Sequence, residues 1–156
     1  MYILQPLLRI REMREDRATG ELTAARQALA VAEETLAARQ HDLAVFEETK
    51  EARRDRIYAT VIGRAVSREQ LDTATEGVAR IDEEGALKAD NVARAEAERQ
   101  AREEAADAAR ARLNLATKNR MKIDEHRAVW LADEAKAQED RAEAELEDFT
   151  VRKEEV

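Results

Sequence analysis

Few residues in this sequence could carry chemistry. His41 and His126 are the two histidines, and neither has companion ligands at a spacing that would hold a metal ion. Adjacent carboxylates at Glu33-Glu34, Glu47-Glu48 and Glu103-Glu104 have the composition of an acid–base pair. Such a pair needs a concave site that strips away water, and a chain of helices with no large apolar core offers none. These glutamates therefore read as solvated helix surface that supports i,i+4 pairs with arginine. There is no cysteine for a disulfide or thiolate site, and no glycine-rich loop to hold a phosphate. The sequence predicts no enzyme, no cofactor and no metal.

What remains is charge and two isolated aromatics. Arg9, Arg11, Arg14 and Arg17 form one basic stretch, and Lys118, Arg120, Lys122 and Arg127 form another, while the segment from Asp133 to Glu155 is mostly acidic. If the fold brings the two basic stretches together, they make a collar suited to an acidic partner; the plainer reading is ordinary solvated surface. Trp130 is the only tryptophan, and it reads either as the cap of an apolar cluster or as an anchor for a partner. Phe149 has no obvious partner within the chain and reads as either solvated or docking.

The whole composition points to helices. Of the 156 residues 40% are charged and 3% aromatic, too little apolar bulk for a globular core of this length. The net charge of −8 argues against nucleic acid as a partner. No apolar run approaches the ~20 residues of a membrane span, and the apolar start is interrupted by Pro6 and lacks the charged beginning of a signal peptide. A cytoplasmic protein with no direct membrane insertion is the default expectation.

Leu22, Leu29, Leu36 and Leu43 recur every seventh residue, with Ala18, Ala25, Ala32, Arg39 and Phe46 at the companion positions. That pattern predicts a coiled coil. The break comes at Gly63-Arg64-Ala65-Val66-Ser67, where Gly63 supplies a helix stop and Ser67 with Gln70 a capping box. One break between two helical arms predicts an all-α, two-helix antiparallel coiled-coil hairpin with a longer second helix. It forms a single domain over 1–156, with helix one at about 5–62, the turn at 63–67, helix two at about 68–148 and a frayed tail at 149–156. The arms, about 57 and 80 residues, would span about 85 and 120 Å at 1.5 Å per residue.

Pairing across such a hairpin joins residues whose numbers add to roughly 130. Leu22, Leu29 and Leu36 then face the region of Ala108, Ala101 and Ala95, so that the alanines Ala97, Ala101, Ala105 and Ala108 supply the seam of the second helix. Leu4, Leu7, Leu8 and Ile10 fall opposite Met121, Ile123 and His126. Gly77 and Gly85 predict local bending near the turn, and Gly20 a loss of about 1 kcal/mol relative to Ala.

The turn segment, Ile57-Tyr58-Ala59-Thr60-Val61-Ile62-Gly63-Arg64-Ala65-Val66-Ser67-Arg68-Glu69-Gln70-Leu71-Asp72, resembles that of the type III secretion central-stalk proteins of the FliJ/YscO type. The ending Ala144-Glu145-Leu146-Glu147-Asp148-Phe149 is similar to that family's acidic stretch followed by Phe. The family's turn often carries Pro where this chain has Ala65. The resemblance implies a non-enzymatic stalk, similar to the gamma stalk of rotary ATPases, at the cytoplasmic base of an inner-membrane secretion apparatus. Its open end would enter a hexameric secretion ATPase, with Arg9, Arg11, Arg14, Arg17, Lys118, Arg120, Lys122, Arg127 and Trp130 as contacts. Near the turn, Leu43, Phe46, Lys50, Leu71 and Val78 would meet the cytoplasmic domain of the export gate, although Lys50 stands for an aromatic residue of the family and Thr75 for an aliphatic one. Export chaperones are a further class of partner implied. The alternatives are a generic coiled-coil scaffold, an export-chaperone escort protein, or a structural rod of a phage or plasmid.

Overall fold

The computed structural model describes residues 2–154, with side chains over 2–146. Two helices, α1 (Gln5–Tyr58) and α2 (Arg68–Glu154), pack against each other as a helical hairpin, and no strand occurs among the described residues. Helix α1 opens with Pro6 in its first turn, where a missing N–H costs nothing, and the Gln5 N–H donates to the Tyr2 carbonyl at 3.2 Å. Helix α2 continues to Glu154, so the segment expected to fray from residue 149 is helical up to that point; Phe149's side chain lies outside the described residues.

The link between the helices is built as its residue types require. Gly63 takes a positive φ of 72°, the left-handed conformation that ends a helix and that a β-carbon disfavours. Two residues act reciprocally at the start of α2: the Ser67 N–H donates to Gln70 Oε1 at 2.8 Å, and the Gln70 N–H donates to Ser67 Oγ at 3.2 Å. Helix α1 ends at Tyr58, four residues before the expected boundary, and turn-type bonds such as Val61 N–H to Tyr58 O carry the chain on to Gly63.

The chain divides into two units, each containing part of both helices: Thr23–Ala108, and Met1–Leu22 with Ala109–Val156. In the unit containing the turn, Ala32, Leu36, Phe46, Ala74, Ile81, Ala95 and Ala106 are buried, and Leu29 and Leu43 are half-buried. Phe46 and Ile57 of α1 meet Gly85 and Gly77 of α2, which is antiparallel pairing. These two glycines serve close approach. A β-carbon on Gly85 would stand 2.8 Å from Phe46 Cε1, and one on Gly77 would stand 3.1 Å from Ile57 Cδ1.

In the other unit, Leu8, Ala18, Leu22 and Ala109 form the apolar seam, and Tyr2 closes its end. Pairing is again antiparallel: Glu21 meets Arg112, Glu15 meets Thr117 and Arg120, and Tyr2 meets His126 and Trp130. Leu4 and Leu7 are half-buried, but Ile10 and Met121 are about half exposed and stand outside the seam.

The seam of α2 differs from the expected one. Ala95, expected opposite Leu36, is buried, but Ala97, Ala101, Ala105 and Ala108 are all exposed, and Ala106 and Ala109 are buried instead. The reason is helical phase. Counted from the buried Ala95 at about 100° per residue, the four exposed alanines all stand about 80° or more around the helix from the seam. The seven-residue frame that starts at Ala74 and Ile81 alternates steps of three and four, and it passes through Ala95, Arg99, Arg102, Ala106 and Ala109. Arg99 within this frame is turned to its own helix, bonded to Glu96 and Glu103.

Candidate functional site

The basic collar is built on one unit, by the first five turns of α1 and the stretch of α2 from Ala109 onward. Glu15 occupies a position of the heptad frame that Leu22 and Leu29 continue, so a carboxylate stands where the pattern calls for an apolar side chain. It is satisfied across the seam. Thr117 Oγ1 donates to Glu15 Oε1 at 2.8 Å, Arg120 Nε donates to Glu15 Oε2, and Arg120 also bridges Asp124. The bond from Thr117, reinforced by the Arg120 guanidinium, holds the Glu15 carboxyl below the usual glutamate range against the opposing effect of desolvation. Arg120 therefore spends its charge inside the hairpin, between two carboxylates.

The other expected collar residues divide into two groups. Arg17 is bridged to Glu21 on its own helix at 3.2 Å. Arg9, Arg14, Lys118, Lys122 and Arg127 are exposed, Arg11 is half-buried, and none of these six side chains has a hydrogen bond or ion pair with a described residue. Arg11 and Arg14 are brought together with Arg112 of α2 at a small cleft that Leu115, Ala116 and Asn119 complete. Arg112 is not among the collar residues expected from the sequence. Its signal was present: it lies three residues from Ala109 and four from Ala116, both on the seam frame.

Trp130 takes the capping role. Its ring centroid lies 5.5 Å from that of Tyr2, and Tyr2 Oη and His126 Nδ1 are hydrogen-bonded at 2.8 Å. Tyr2 is buried while Trp130 is half-buried, so the cluster closes this end of the seam and leaves part of the indole open. Tyr2, which no heptad position marks, and His126 are thus parts of this end cluster. His41 is exposed, and among the described residues no group of His, Cys, Asp and Glu could hold a metal ion.

In the unit with the turn, the expected gate-facing residues are split. Phe46 is 3% exposed and its ring is covered by Gly85 on one side, with the Arg53 guanidinium 5.6 Å from the ring centroid. Leu43 and Lys50 are half-buried seam residues, each about one turn away on either side. Leu71, half exposed, and Val78 share a shallow groove with Tyr58 and Val61. Leu71 and Val78 are thus together and accessible, whereas Phe46 is a packing residue. Arg53 and Arg54 also bind across the hairpin, to Glu84 at 2.7 Å and to Asp82, so reversing their charge would disturb the fold as well as the surface.

Of the glutamate pairs, Glu103 is bridged to Arg99 at 2.8 Å and Glu104 accepts from Gln100 at 3.4 Å. They are surface helix pairs of the i,i+4 kind. No helix of the described residues is long and apolar enough to cross a membrane.

The chain is thus of the all-helical, two-helix hairpin class, with a polar tie from Glu15 to Thr117 and Arg120 in its seam. The chain belongs to the YscO type III secretion protein family, whose model matches residues 4–152. No curated protein matches it. A solved structure described as a YscO homolog from Chlamydia trachomatis has the same fold, with a TM-score of 0.76 at 18% identity over 95% of this chain and 91% of that one.

Proposed function

We propose that this chain is the non-enzymatic central stalk of a type III secretion apparatus. One end of its hairpin would sit in the central hole of the hexameric secretion ATPase, and the region near the turn would meet the cytoplasmic domain of the export gate. The chain then acts on the cytoplasmic side of the inner membrane, and export chaperones are a further class of partner. Membership of the YscO family supports the setting. The observation that carries the reading is the set of basic side chains from both helices, Arg9, Arg11, Arg14, Lys118, Lys122 and Arg127, that no described acidic residue neutralises. Unpaired cations on a chain of net charge −8 mark a face that meets acid elsewhere. Confined in a ring, such charges are poorly screened and would orient the hairpin strongly. At the other end, Leu71, Val78 and Tyr58 offer the gate an accessible apolar groove.

The test is stimulation and binding of the purified secretion ATPase from the same organism. Charge reversal at Arg9, Arg14 and Lys122 together should abolish stimulation with helicity unchanged, while Leu71→Asp should leave it intact and weaken gate binding. A triple reversal that stimulates in full would overturn the proposal.

A further inference from the structure

The cleft formed by Arg11, Arg14, Arg112, Leu115, Ala116 and Asn119 is more specific than a basic surface needs to be. It measures about 200 Å³, the size of one side chain, and it draws on both helices. Arg11 lies at a position of the seam frame, four residues before Glu15 and seven before Ala18. Its Nε is sealed from solvent and has no hydrogen-bond acceptor among the described residues. A guanidinium held by its packed stem loses less freedom on binding than one on a free arm. Nearby acids neutralise only part of the cleft, at Arg112. Glu15 is taken by Thr117 and Arg120, and Glu21 by Arg17 and by Arg112, the last through Nε at 3.4 Å. Arg14 has no described partner, and the terminal nitrogens of Arg112 make no described bond.

Three guanidinium groups and a carboxamide beside an apolar wall fit an anion that carries a hydrocarbon stem. Planar guanidinium forks match a carboxylate in paired hydrogen bonds. Leu115, 61% exposed, and Ala116 would cover methylene groups that an inorganic anion lacks. We infer that this cleft is a receptor for a glutamate side chain presented by an acidic helical segment of a partner protein. The inference deepens the stalk reading and rests on it for the partner's identity; the chemistry of the cleft stands apart from it.

The full-length chain is titrated with a fluorescent, Ala-based helical peptide carrying regularly spaced Glu and Leu, and with its Glu→Gln counterpart, at fixed ionic strength. The Glu peptide should bind and the Gln peptide should not. Arg11→Gln, Arg14→Gln and Arg112→Gln should each weaken binding at least fivefold, and Arg11→Lys should do so while conserving charge. Arg110→Gln, which removes the same charge from an exposed neighbour outside the cleft, should change it less than twofold. Circular dichroism melts accompany each variant, and Arg14→Gln, whose residue is exposed, serves as the reading if Arg11→Gln lowers the melting temperature. Competition separates the ligand classes: glutarate should displace the peptide at lower concentration than inorganic phosphate does. Equal weakening by Arg110→Gln, or equal competition by phosphate, would overturn the inference. Its failure is distinct from that of the stalk reading, because a chain that binds the ATPase but not the peptide loses only the cleft, and one that binds only the peptide loses only the stalk.

Discussion

The ring of Phe46 lies against the backbone of Gly85, 2.8 Å from where a β-carbon on that glycine would stand. A large knob on α1 and an empty place on α2 are thus one structural unit, and each residue explains the other. Gly85→Ala removes the space while improving helix propensity by about 1 kcal/mol. The close atom belongs to a buried ring with no free end to swing away, so the steric term wins. We expect a net loss of about 1–3 kcal/mol in urea or thermal melts. The penalty should shrink in a Phe46→Leu background, since the two residues share one space. Gly20 is the control: nothing stands within 4 Å of its β-position, and Gly20→Ala should stabilise by about 1 kcal/mol.

The seam frame makes opposite claims about two alanines. Ala109 is 1% exposed and Ala101 is exposed. Ala109→Leu should therefore overpack the hairpin and cost about 1–3 kcal/mol. Ala101→Leu should change stability by no more than about 0.5 kcal/mol. Melts of the two variants side by side check the frame, and equal losses would place the seam elsewhere.

Glu15 should make one unit sensitive to acid. Its carboxyl is held below the ordinary value of 4.5, chiefly by the hydrogen bond from Thr117. A depressed pKa means that the folded state binds the proton less readily than the unfolded one. Its contribution is complete above about pH 4.5 and is lost as the pH falls through the lowered folded value. The melting temperature should therefore drop below pH 4.5. Thr117→Val brings the folded pKa back towards the ordinary glutamate range, so the drop should become smaller, and Glu15→Gln should remove this residue's share of it. Glu84, held low by Arg53, adds acid sensitivity of the same sign in the other unit.

The turn offers a backbone test. Gly63 has φ of 72°, so Gly63→Ala should destabilise by about 1 kcal/mol although nothing touches the added methyl group. Ser67→Ala removes one half of the reciprocal cap and should cost about 1 kcal/mol. Hydrogen exchange at the first amides of α2 should accelerate in Ser67→Ala and change little in Gly20→Ala.

Much of this protein was legible in the order of its residues. The heptads at Leu22, Leu29, Leu36 and Leu43, the stop at Gly63 and the cap at Ser67 and Gln70 are local signals. A helix's period and its ends depend on neighbours within one or two turns, so the two helices and their pairing direction could be read directly. The basic residues were legible too, because composition and spacing list charges without needing coordinates.

What the tertiary structure decided is which of those residues meet. Ala97, Ala101, Ala105 and Ala108 and the true seam alanines are equally plausible by type, and only the phase carried along α2 separates them. Gly77 and Gly85 look like weak points in a helix until Phe46 and Ile57 arrive from the other one. Arg120 and Arg112 changed places: the first is consumed by Glu15, and the second joins Arg11 and Arg14 at the cleft. Each of these facts depends on a residue some twenty to a hundred positions away. Sequence spacing carries periodicity along one helix, whereas contact across the seam is set by the register of two helices, and a shift of one residue moves every side chain about 100° around its axis.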